Sequence, residues 1–235
     1  NLIRVTLSGN DSGALGGGIF NAGTLSVVDC TFIGNLATFD GGGLYNNGAP
    51  TASATISGST FSGNTADRHG GGVFNTGASA TLTLSNSTMS GNTAEQKGGG
   101  VRVNSGTFTM TNGTVTGNTS TASSGGGIDI GDATMTMTLG NSIITDNMSS
   151  SGGPNVSGAV TSSGYNFIGD ASGTLVSQAT GDQFGNALNQ IDSLLGHLAD
   201  YGGPTETHIL LSGSPAIDAG DNTLASNAGL MLEQR

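Results

Sequence analysis

Carboxylates at Asp129, Asp132 and Asp146 stand on adjoining segments of the chain, with Arg102 and His69 upstream of them. Two carboxylates flanking a glycosidic bond can hydrolyse it, and a base beside acidic cation ligands can eliminate across a uronic acid. These residues make the best case for an enzyme, and their spacing matches no catalytic motif, so no catalytic residue is assigned. His69 and Lys97 sit in charged strings, Asp67-Arg68-His69 and Glu95-Gln96-Lys97, that read as exposed ion pairs of small energetic weight. His208 and Asp218 read as hydrogen-bonding groups inside a terminal cap.

A second kind of chemistry is recognition. Phe20, Tyr45, Phe74, Arg102 and Asp129 recur at one position of a repeating unit, and an outward stripe of that composition would stack sugar rings or dock a partner. A paired hydroxyl face runs beside it: Thr24 with Ser26, Ser53 with Thr55, Thr81 with Thr83, Thr107 with Thr109, and Thr136 with Thr138. A regular Thr-x-Thr array can match an ice lattice. Thr is also an ordinary exposed strand residue, and the serines break the regularity.

The elements that must position these columns repeat along the chain. Glycine triplets begin at Gly16, Gly41, Gly70, Gly98 and Gly125, separated by 25, 29, 28 and 27 residues. Each is followed at a nearly fixed distance by an asparagine: Asn35, Asn64, Asn92, Asn118 and Asn147. Self-similarity on this scale means stacked supersecondary units. Three residues before each asparagine stand Phe32, Phe61, Met89, Val115 and Ile144. Eight before it stand Val27, Ile56, Leu84, Met110 and Leu139, and ten before it Leu25, Ala54, Leu82, Phe108 and Met137. Ile19, Leu44, Val73, Val101 and Ile128 follow the triplets.

Alternation with period two puts these residues on the inner face of short strands. The expected fold is all-β: a right-handed parallel β-helix, a three-sided solenoid of about 25 to 29 residues per turn. Residues 1–169 form the repeats and residues 170–235 a polar loop and a C-terminal cap, in which Ile209, Leu210, Leu211, Ala216 and Ile217 cover an end of the core. Gly and Asn make the corners because they accept positive φ. Asn86 and Asn112, though in Asn-x-Ser/Thr strings, read as ladder residues.

The net charge of −11 is unevenly placed, because residues 129–235 hold eleven acids and Arg235 alone among the bases. With no basic patch, nucleic acid and acidic lipid surfaces are poor partners, and no apolar run is long enough for a membrane span. Cys30 is the only cysteine, which rules out an intramolecular disulfide and a cysteine metal site; it reads as a buried inert thiol. No metal site is assigned and no cofactor is expected, with Ca²⁺ the one candidate ion, through Asp170, Asp182, Asp192, Asp218 and Asp221.

The run SGYNFIGD followed by LLGHLADYGGPTETHILLSGSPAIDAGD resembles the end of bacterial extracellular β-helix proteins of the choice-of-anchor Q type. The upstream units resemble the GGAI/FxxN repeats of polymorphic outer-membrane proteins. The resemblance implies a secreted or surface-attached coil with a separate anchor after it, and carries no catalytic residues over. Here the sequence stops at Glu233-Gln234-Arg235 without an anchor segment.

The function these features favour is a non-catalytic extracellular structural or adhesive protein. Its sequence starts in mid-turn, which suggests end-to-end stacking into fibres, with the protein itself or surface glycans as partners. The alternative is a carbohydrate-active enzyme, a polysaccharide lyase or glycoside hydrolase, with a cleft along the Phe20 to Asp129 face.

Overall fold

A computed structural model describes residues 1–48, 51–131 and 135–228, with Thr136 described by its backbone only. The chain winds into a right-handed parallel β-helix in which each strand pairs with its counterpart one turn away. The turn that begins at the Gly70 triplet is typical. Its strands are Val73–Thr76, Thr81–Ser85, Thr88–Ser90 and Thr93–Ala94. Three strands per unit are expected from the sequence, and the structure adds the fourth, too short at two residues for any alternation to betray it.

Register follows the expected columns. Leu82 lies between Ala54 and Phe108, Leu84 between Ile56 and Met110, and Met89 between Phe61 and Val115. These residues are buried, as are Phe32, Val73, Val101, Ile128 and Ile144. The Phe32 and Phe61 rings stack at 4.2 Å. Each fully buried Leu, Phe or Met adds ~1.5–3 kcal/mol of transfer free energy, so one turn fixes the next by apolar contact as well as by the ladder.

Three polar columns finish the corners. Asn10, Asn35, Asn64, Asn92, Asn118 and Asn147 form a continuous side-chain ladder, each amide bonded to the next at 2.7–2.9 Å. Asn21, Asn46 and Asn75 form a second. Asn86, Asn112 and Asn141 form a third, on a corner where each holds positive φ. Their amides are engaged in these bonds, as a structural role requires.

Cys30 takes the place that Ser59 and Ser87 hold in neighbouring turns and is buried. Its Sγ accepts from the Val5 amide at 3.4 Å and donates to the Val28 carbonyl at 3.2 Å, whereas Ser59 Oγ accepts from the Cys30 amide at 3.0 Å and donates to the Ser57 carbonyl at 2.8 Å. Cys30→Ser is therefore expected to be neutral or stabilising by up to about 1 kcal/mol, as urea unfolding would measure. A thiol reagent should label wild-type Cys30 only once the chain unfolds.

The C-terminal region holds a cap, as expected, in the form of a short helix, but the stretch expected as a loop carries strands, and Ile209 and Leu210 of the expected cap lie on a hairpin. Within residues 170 to 190, Thr174–Ser177 pairs with Val156–Ser162, and Gln183–Phe184 pairs with Phe167–Ile168. Val176 and Phe184 pack on the core. Asp182 holds this last partial turn together, accepting from Ser162 Oγ, the Asn166 amide and the Ala179 amide at 2.7–2.8 Å. The hairpin Leu195–Ala199 with Thr207–Leu210 then runs back along the flank. It meets the coil through Thr205 to the Gly58 carbonyl, Thr207 to Thr88, and His208 to Ser90. Ile209, Leu211 and Ile217 remain 38–45% exposed, because the hairpin lies across strand backs instead of over the open core. A short helix, Asn222–Asn227, capped by Asp221, is the last element among the described residues and buries Ala225.

Candidate functional site

The glycine triplet decides what the expected stripe can do. Gly16, Gly41, Gly70, Gly98 and Gly125 all hold φ between 64° and 73°, and the bend brings the residue before each triplet against the one four places after its first glycine. Ser124 donates to Asp129 at 2.8 Å, and His69 stacks on Phe74 at 6.0 Å between centroids. The approach is so close that a Cβ on Gly70 would lie 2.9 Å from that of Phe74.

This bend corrects the expectation of an open stripe. Phe20 is 49% exposed, while Tyr45 is 9% and Phe74 5% exposed, and Arg102 and Asp129 are buried. The five do form one column in register. Phe20, Tyr45 and Phe74 stack at 5.3 and 5.2 Å, and Arg102 forms an ion pair with Asp129. Alternation correctly put these residues on the outer side of their strands. It carries no information about the corner that folds over them.

Behind the column lies a row of titratable groups. The backbones of Asp40, His69 and Lys97 pair in turn along the axis, and Arg68 bonds Asp40 at 2.6 Å while its guanidinium lies 4.7 Å from the Phe39 ring. The expected exposed pairing among the charged strings is thus replaced by a cross-turn bond to a buried carboxylate. Burial, then Asp40, raises the Tyr45 phenol pKa against an opposing Arg68. Burial lowers that of Lys97, with help from Arg102. It also lowers that of Arg102, which Asp40 opposes.

Burial is the main cause that holds the His69 pKa below its ordinary value; Asp40 raises it, and Arg102, Arg68 and Lys97 lower it further. A depressed imidazole binds fewer protons folded than unfolded. Stability from this group is therefore complete above about pH 6.5 and falls as pH drops from there toward the folded value. His69→Gln should narrow the difference in melting temperature between pH 7 and pH 5, as scanning calorimetry would show; an unchanged difference would contradict the assignment.

The carboxylates expected to cooperate have different neighbours. Asp129 faces Ser124 and Arg102. Asp146 has its pKa raised by burial and then by Asp192, with a Thr145 hydrogen bond opposing. Asp132 lies outside the described residues. Among the described residues no group of three His, Cys, Asp or Glu comes together as a metal would require. Of the Ca²⁺ candidates, Asp170 accepts from the Ser172 amide, Asp192 from the Leu194 amide and Asp221 from the Leu224 amide. His208 bonds the Gly196 carbonyl at 2.7 Å and Ser90 at 3.0 Å.

The hydroxyl face is ordered and open. Thr24, Ser53, Thr81, Thr107 and Thr136 form one register column, and Ser26, Thr55, Thr83, Thr109 and Thr138 the next. Thr24, Thr55, Thr81, Thr107 and Thr109 are exposed. None of the five strands carries a charged residue.

Among the described residues no helix is long and apolar enough to cross a membrane. No curated protein and no solved structure matches the chain. The family model of the Chlamydia polymorphic membrane protein repeat matches residues 29–47 and 58–76. Those segments run from one corner through the asparagine, the glycine triplet and the strand after it, so the similarity falls on the parts that shape the coil.

Proposed function

We propose that the chain is a non-catalytic structural or adhesive coil of an extracellular or surface-attached protein. One observation carries this reading: Arg68 with Asp40 and Arg102 with Asp129 are paired at the triplet corners, while a broad uncharged hydroxyl face stays open. Arg102 and Asp129, the charged residues of the column, are buried and paired with each other, and similarity to a polymorphic membrane protein repeat supports a surface location. The hydroxyl face is the surface for glycans, whose hydroxyls and apolar ring faces suit a lattice of Thr Oγ and methyl groups. Strand spacing of about 4.8 Å and a two-residue repeat of about 6.7 Å set that lattice.

Adsorption of the folded chain to insoluble polysaccharides tests the adhesive reading. Thr81→Lys with Thr107→Lys adds two charges on the exposed face and should lower adsorption at least several-fold with the melting temperature nearly unchanged. Release of new reducing ends or unsaturated products from acidic or neutral polysaccharides, lost in Asp129→Asn, would establish the enzymatic alternative instead. Stacking of copies end to end into fibres is the self-assembling form of the proposal, supported by the like hydrogen-bonding edge that every turn offers the next. Light scattering that finds only monomer at high concentration, with no filaments by electron microscopy, would remove that form.

A further inference from the structure

A cavity of about 470 Å³ lies between the coil and the C-terminal segment. Its walls include Ile143 and Phe167 from the coil and Leu195, Leu210, Ile217 and Asp218 from the returning segment. The volume falls within the range of small-molecule sites, and such sites combine apolar walls with few polar groups. Among the described residues Asp218 is the only charged residue lining it; its side chain is exposed, and none of them donates a hydrogen bond to its carboxylate. The His208 ring also borders the space, and both its nitrogens are engaged elsewhere.

The surroundings decide the sign of a ligand. Among the described residues no Lys or Arg lines the cavity or pairs with Asp218, so the local field favours a positive guest. We propose that this cavity binds a small hydrophobic cation, an amine whose aromatic or aliphatic body fills the apolar space while its ammonium faces Asp218. The site is separate from the hydroxyl face and does not depend on adhesion.

The protein contains no Trp, so the emission of an added indole reports on the ligand alone. Titration with tryptamine should give a saturable blue shift as the ring leaves water. Asp218→Asn should weaken tryptamine about twofold to fivefold, as loss of an exposed charge pair does. Asp218 holds φ of 56°, a conformation that Asn also accepts, so this variant should fold, and its melting temperature checks that. The neutral 3-methylindole should bind more weakly and ignore the substitution, and indole-3-propionate should bind least. Absence of a saturable shift, equal affinity for the cation and the anion, or a tryptamine affinity untouched by Asp218→Asn would each overturn the proposal.

Discussion

Gly71→Ala is expected to destabilise the coil by about 3 kcal/mol or more, a large effect for one methyl group. Gly71 is the middle glycine of its triplet and is buried. A Cβ there would overlap the Thr93 carbonyl of its own turn and lie 2.6 Å from the Gly99 carbonyl oxygen of the next. Both obstacles are backbone held by neighbouring ladders: the Gly99 carbonyl accepts from the Gly72 amide, and the Thr93 amide donates to the Asn64 carbonyl. Neither can move aside without breaking bonds in two turns.

A control in the preceding turn separates crowding from backbone conformation. Gly63 has φ of 61° with open space where a Cβ would stand. Gly63→Ala should thus show only the left-handed backbone penalty, about 1–2 kcal/mol, and Gly63→Asn less. Urea midpoints for the three variants measure the order. A Gly71→Ala midpoint as high as that of Gly63→Ala would mean that the triplet has slack the structure does not show.

The same contrast explains what was legible in the sequence. Inward columns such as Leu82 and Leu84 show up as alternation, and Asn92 shows up as a repeat, because both follow from local geometry copied turn after turn. Burial of Tyr45, Phe74, Arg102 and Asp129 arises across a bend, between residues five apart, and no strand period encodes it. The spacing was visible all the same, since Ser124 precedes Asp129 and His69 precedes Phe74 by that interval. The path of the C-terminal hairpin was not legible at all. It depends on contacts such as Thr88 with Thr207, 119 residues apart, at positions where Thr serves equally well on an exposed strand. The polar composition of residues 170 to 190 likewise hid two strands, whose pairing rests on the Asp182 carboxylate more than on an apolar run.

Asn92 should be nearly as intolerant as Gly71, for a polar reason that pH can expose. Its side chain is completely buried. Oδ1 accepts from the Asn64 amide at 3.0 Å and from Asn64 Nδ2 at 2.8 Å; Nδ2 donates to the Phe61 carbonyl at 2.9 Å and to Asn118 Oδ1 at 2.8 Å. Asn92→Ala leaves the Asn64 amide without that acceptor and opens a void, an expected loss of about 3–4 kcal/mol. Asn92→Asp keeps the shape and the acceptor but turns an oxygen toward the two oxygens that Nδ2 served. The new carboxyl can satisfy one of them only when protonated, so burial and those oxygens must raise its folded pKa. A raised carboxyl pKa gives stability that is present at acid pH and lost as pH rises through the folded value. Near pH 7 the Asp variant should therefore be no more stable than the Ala variant, and at pH 4 it should be clearly more stable. Equal responses of the two variants to pH would show that the ladder at Asn92 admits water, since only a solvated carboxylate could stay ionised there without loss.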